Sequence, residues 1–162
     1  TDELYLEMFC FWSGEKNIGS QPGVVYTEPG YSNGREVVKV VFDQNQTSAD
    51  KIVSSARKSG NADAIHEKSG RKAGTDIKSL PLKNYSIDKD LHYYLKNSVY
   101  ANLPLTPMQA TRINSALGNG SEIKQLLSPQ QLKMLAAIEK GSLSKKHRYT
   151  ATPWYSTWPA GY

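Results

Sequence analysis

Arg35-Glu36-Val37-Val38-Lys39-Val40-Val41-Phe42-Asp43 is the stretch on which the fold turns. Five of the eight residues from Glu36 to Asp43 are apolar, and most are β-branched, which predicts a strand. By the two-residue period Glu36, Val38, Val40 and Phe42 share one face. Just upstream, Tyr31-Ser32-Asn33-Gly34 reads as a tight turn, because Asn-Gly favours positive φ. Val24 to Thr27 is a short strand ended by Pro29-Gly30. Leu4 to Phe11 is another strand, with Leu4, Leu6, Met8 and Cys10 on one face. Between them Trp12 to Gly19 can start a short helix, which Pro22-Gly23 breaks. Downstream, Thr47 caps a helix from Ser48 to about Ser59, with Ile52, Val53 and Ala56 apolar and Gly60 as its stop. The order β-α-β-β-α predicts an α/β (α+β) protein with a ferredoxin-like split βαβ domain over residues 1–62. Its closing strand is either missing or lies in Ala64 to Leu82.

Residues 63–87 are polar and rich in Lys, Ser and Gly, and read as a linker or irregular loop. A helical extension is expected over 88–142, beginning with one helix from Asp88 to Val99. Two similar units follow. Leu105-Thr106-Pro107-Met108-Gln109 and Leu127-Ser128-Pro129-Gln130-Gln131 each open a helix. Thr or Ser is the N-cap, Pro sits at the first helical position, and Gln at the third completes a capping box. Gly118 and Gly141 are expected to end them. Ile113, Leu117, Leu132, Leu135 and Ile138 would make a helical hairpin. Residues 143–162, with Trp154, Tyr155 and Trp158, read as an extended aromatic tail that docks on this chain or on a protein partner.

The chain has 162 residues and a formal net charge of +5. No apolar run approaches the roughly 20 residues that a membrane span needs. Thr1, not Met, comes first, so the compartment stays open between bacterial cytoplasm and, if a leader has been removed, periplasm. The basic residues carry no nucleic-acid motif and read as a solvated face. One cysteine excludes an internal disulfide and a thiolate metal cluster. His66, His92 and His147 have no metal-ligand spacing, so neither a metal nor another cofactor is expected.

A lone cysteine is usually an inert apolar residue. Cys10 differs in sitting between a strand end and a helix start, where free N–H groups favour negative charge. Aromatic Phe11 and Trp12 follow it directly. Glu15, further along, reads as favouring the helix start. Glu36 lies on the apolar face of its strand, where a carboxyl can hold and deliver a proton. The alternative is an edge carboxylate facing water or pairing with Arg35.

Phe9-Cys10-Phe11-Trp12-Ser13-Gly14-Glu15 is similar to the Gly-Cys-Phe-Trp-Gly-x-Glu signature of the methionine-S-sulfoxide reductases. Pro29-Gly30-Tyr31-Ser32-Asn33-Gly34 resembles that family's Gly-Tyr-x-Gly-Gly turn, and Arg35 to Asp43 resembles its Glu-Val-Val-x-Val-x-Phe-Asp strand. Ser48 to Ile52 matches the helix that follows. With its helical extension, the whole chain is similar to a bacterial group of shortened reductase-like proteins, some using selenocysteine.

The resemblance implies that Cys10 attacks the sulfoxide sulfur and becomes a sulfenic acid. Phe11 and Trp12 would wall the substrate methyl group, with Tyr26 a further substrate-binding candidate. Glu36 would protonate the sulfoxide oxygen, and Tyr31 would be a second donor; packing on the sheet is Tyr31's plainer role. The partners implied are methionine sulfoxide or an oxidised protein and an external thiol reductant, since no resolving cysteine exists. The departures are Phe9 in place of Gly, a nearly deleted loop between Gly34 and Glu36, and no Gly-Asn-Asp-x-Gly-Thr-Gln-Tyr motif. Two functions therefore fit: a one-cysteine reductase, or a non-catalytic accessory subunit that binds a larger assembly through its helical extension and tail.

Overall fold

The computed structural model describes residues 1–60, 62–69 and 74–145. The chain is a mixed α+β protein. Its elements are β1 (Asp2–Glu7), α1 (Phe11–Ile18), β2 (Val24–Ser32), β3 (Arg35–Phe42), α2 (Ala49–Lys58), β4 (Ala64–Glu67), β5 (Ser79–Pro81), β6 (Ser86–Ile87), α3 (Tyr93–Lys96), α4 (Pro107–Asn119) and α5 (Pro129–Glu139). Short 3-10 turns cover Val99–Asn102 and Lys124–Leu126.

The strands form one sheet in the order β5-β4-β1-β3-β2-β6. β1 lies antiparallel between β3 and β4, and β2 pairs antiparallel with β3 and β6. Register sorts the side chains. Leu4 faces Val40, Leu6 faces both Val38 and Ile65, and all are buried on the side that α1 and α2 cover. From the helices Ile18, Ile52 and Ala56 complete this core. Burial of each large aliphatic side chain contributes about 1.5–3 kcal/mol. A charge placed at Val38, which is wholly buried, would break this layer first.

A second core joins α4 and α5 through Leu103, Leu105, Ile113, Met134, Leu135 and Ile138. Both expected capping boxes form. They also cross-link: Gln109 Nε2 donates to Gln131 Oε1 at 2.8 Å, and Gln131 Nε2 donates to Gln109 Oε1 at 2.9 Å. Helix α4 lies against α1 and takes up the carbonyls at its end. Arg112 donates to the carbonyls of Gly19, Gln21 and Val24, and Asn119 donates to that of Lys16.

Several expectations need correction. The first strand stops at Glu7, because Phe11 already opens α1. Ser48, not Thr47, caps α2; its side chain accepts from the Lys51 N–H. Residues 63–87 are not all linker: β4 (Ala64–Glu67) lies within the stretch open to a closing strand, while β5 and β6, of three and two residues, are ordered by strands already in the sheet. The Asp88 to Val99 helix shrinks to Tyr93–Lys96, since His92 has φ 54, a left-handed backbone that no α-helix continues through. Gly118 lies inside α4, where an added Cβ would come 2.6 Å from Lys16 Cγ, and Gly120 at φ 67 ends the helix instead. Of the expected tail, residues 146–162 lie outside the described residues, His147 and the Trp154 arm included. Among the described residues no helix is long and apolar enough to cross a membrane.

Candidate active site around Cys10

β1 leaves the sheet with Met8 N–H donating to Glu36 O at 3.2 Å. Phe9 then turns outward and is 91% exposed, at the rim of the cavity that it helps to line. Cys10 is the N-cap of α1, with extended φ −141 and ψ 111, and is partly buried. One of the unpaired N–H groups that begin every helix is that of Phe11. It donates to Glu36 Oε2 at 3.1 Å. Glu36 therefore serves the helix start, the task that the sequence suggests for Glu15.

Asn33 and Gly34, at φ 50 and 75, make the tight turn that sets Tyr31 opposite Glu36. Arg35 does not pair with Glu36; it bonds Glu7 on the other face. The Tyr31 ring meets Phe11 edge-on, 5.4 Å between centroids, and its hydroxyl donates to Asp88 Oδ2 at 3.1 Å. Burial, then the Asp88 carboxylate, pushes the Tyr31 hydroxyl above its ordinary value, so it stays a proton donor.

These groups line a cavity of about 490 Å³. Phe9, Cys10, Phe11 and Trp12 come from the start of α1, Tyr31 and Glu36 from the hairpin, and Asp88, Lys89 and Asp90 from the segment after β6. The size suits a small ligand or one side chain of a larger one. Trp12 stacks on Tyr93 at 4.0 Å and 13°. Tyr26 is not among the lining residues; its hydroxyl donates to Glu28 Oε2 at 3.0 Å. Glu15 is wholly buried and bonded to Thr27 and His92, so it does not serve the N–H groups at the helix start.

Sequence reasoning missed the third wall. Asp88 is anchored by its own N–H to Pro29 O at 2.9 Å, and its Oδ1 accepts the Asp90 N–H at 2.8 Å. Asp90 is held below the ordinary carboxylate value by Lys96, whose ammonium lies 2.5 Å away. No local signal marks them: the pairing of β6 with β2 carries Asp88 and Asp90 to the cavity.

No family model matches the chain. A curated relative, the peptide methionine sulfoxide reductase MsrA of Corynebacterium diphtheriae, is 31% identical over 70 residues. The match takes in 33% of this chain and 32% of that protein. The chain thus spans about a third of the curated relative it matches, and over that part it is similar to a methionine sulfoxide reductase.

Proposed function

We propose that the chain is a thiol-dependent reductase of methionine sulfoxide, working through Cys10 alone. The observation that carries this reading is one cavity lined by the Cys10 thiol, the Glu36 carboxyl, Tyr31 and the aromatic rings of Phe9, Phe11 and Trp12, with Asp88, Lys89 and Asp90 opposite. The partial likeness to a methionine sulfoxide reductase supports it.

In this reading Cys10 Sγ attacks the sulfoxide sulfur, while Glu36, as the carboxylic acid, donates a hydrogen bond to the sulfoxide oxygen and Tyr31 turns its one O–H from Asp88 to that oxygen. The oxygen passes to Cys10. One sulfoxide and one thiol become one sulfide and one Cys10 sulfenic acid, a two-electron exchange with atoms balanced. Two equivalents of an external thiol then return Cys10 to the thiol, releasing water and a disulfide. Glu36 Oε2 is held by the Phe11 N–H, which leaves Oε1 for the substrate. Phe11 and Trp12 give the methyl group an apolar wall, and before substrate binds Asp88 holds Tyr31 in place.

The test is a dithiothreitol-driven assay on a methionine-sulfoxide peptide, comparing the native chain with Cys10→Ser. Turnover by the native chain and none by the variant is expected. An inactive native chain would remove the enzymatic reading. The accessory-subunit alternative draws on the helical extension over 88–142 and on residues 143–162, nearly all of the latter outside the described residues.

A further inference from the structure

Glu15 follows Phe11 by one helical turn and points into the protein, where it is wholly buried. Its Oε1 accepts from Thr27 Oγ1 at 2.9 Å and lies 2.9 Å from His92 Nδ1. Oε2 has no partner among the described residues. His92 is wholly buried as well, and its backbone takes the left-handed form that a non-glycine residue adopts only at a cost. Both costs are avoidable, since an apolar pair of similar volume would pack as well or better.

The location of the pair shows what it accomplishes. Asp88, Lys89 and Asp90 line one side of the cavity, and the chain runs on from them to His92 and Tyr93. At its start this segment is tied to the hairpin, by Asp88 N–H to Pro29 O and by the Tyr31 hydroxyl to Asp88. At its end the Glu15–His92 contact ties it to α1, the helix that carries Phe11 and Trp12. Next to His92, Tyr93 stacks on Trp12. α3 has four residues, one turn, too short to hold its own position. Behind the pair, Thr27 N–H donates to Thr111 Oγ1 at 3.2 Å, so β2 is braced in turn by α4.

We propose that the buried Glu15–His92 contact is a latch that holds the Asp88–Tyr93 segment against α1 and so sets access to Cys10. His92 and Glu15 are positioning residues that act through Asp88, Tyr93 and Trp12. The consequence for turnover rests on the reductase reading above; the positioning itself does not.

Cys10 is the one cysteine of the chain, so alkylation by iodoacetamide reports on this site alone. His92→Gly removes the imidazole and fits the left-handed backbone. His92→Asn keeps an amide N–H near the place of Nδ1 and also tolerates that backbone. The latch predicts alkylation at least about threefold faster in His92→Gly, and within about twofold of native in His92→Asn. Thermal melts check that each variant is folded. A folded His92→Gly that alkylates at the native rate would overturn the proposal, as would equal acceleration in both variants. If His92→Gly does not fold, amide exchange on the native chain decides: residues 88–96 should open together with 11–18, and faster, independent opening of 88–96 contradicts the latch. Alkylation that follows this pattern without sulfoxide turnover would remove the reductase reading and leave the latch. Turnover without the pattern would do the reverse.

Discussion

A glutamate–histidine pair stands on each face of the sheet, and the two are built differently. On the face away from α1 and α2, His66 lies 2.7 Å from Glu7 Oε2 and 2.7 Å from Ser32 Oγ. Arg35 bonds the other Glu7 oxygen, and the Lys83 N–H donates to Ser32 Oγ at 3.2 Å. Both Glu7 oxygens and both imidazole nitrogens thus have partners, and the cluster fastens β1, β4 and the β2–β3 hairpin to one another. Ser32 beside His66 does not make a nucleophile, because Ser32 is wholly buried. On the helix face Glu15 Oε1 meets His92 Nδ1 and Thr27 Oγ1, and among the described residues Glu15 Oε2 has no partner. That pair sits behind the cavity, and it links segments rather than strands. The lesson is that the same two residue types serve cohesion on one face and placement of a site on the other.

The largest effect that separates the faces is on chemistry. Glu36→Gln should lower kcat/KM for a methionine-sulfoxide peptide by about 10²–10⁴-fold, the usual contribution of a positioned acid, while Glu7→Gln stays within about twofold. Steady-state kinetics on both variants decide, and equal losses would erase the contrast. Next comes stability. His92→Ala leaves Glu15 buried without its histidine and should cost about 3–5 kcal/mol. His66→Ala leaves Glu7 with Arg35 and should cost about 1–3 kcal/mol. Urea unfolding of the two variants gives the order, and the reverse order would contradict the account.

A smaller effect is the response to acid. Burial pushes the Glu7 carboxyl up, but hydrogen bonds from His66 and Arg35 outweigh it and hold the group below its ordinary 4.5. A carboxyl lowered on folding adds stability above its unfolded value, and that stability is lost as pH falls through the folded value. Thermal melts of the native chain should therefore drop below pH 4.5, and Glu7→Gln should flatten part of that decline. An unchanged slope in the variant would assign the acid sensitivity elsewhere. Smallest is the capping pair in the helical unit: Thr106→Ala and Ser128→Ala should each cost about 1 kcal/mol in urea unfolding and leave Cys10 alkylation unaltered.

What was legible in the sequence is what local chemistry determines. Thr106 and Ser128 cap their helices because the bonds close within three residues. The β3 strand follows from its run of valines, and the turn from Asn33-Gly34. Cys10, Phe11, Trp12, Tyr31 and Glu36 come to one cavity, because β1, α1 and the hairpin are each short and locally encoded. His92 was illegible, since its left-handed backbone accompanies a contact with Glu15, 77 positions away. β4 lies in the stretch left open to a closing strand, but β5 and β6, of three and two residues, become strands only beside partners already in the sheet. Asp88 and Asp90 reach the cavity for that reason too, carried there by the pairing of β6 with β2.

The central claim is that Cys10 accepts the oxygen of a sulfoxide. A single turnover tests it most directly. The native chain is mixed with a methionine-sulfoxide peptide without reductant, and both are weighed by mass spectrometry. The account predicts one oxygen atom gained at Cys10, trapped as the sulfenic acid by dimedone, and one equivalent of sulfide peptide formed, with neither in Cys10→Ser. An unmodified Cys10 and an unreduced peptide would contradict it.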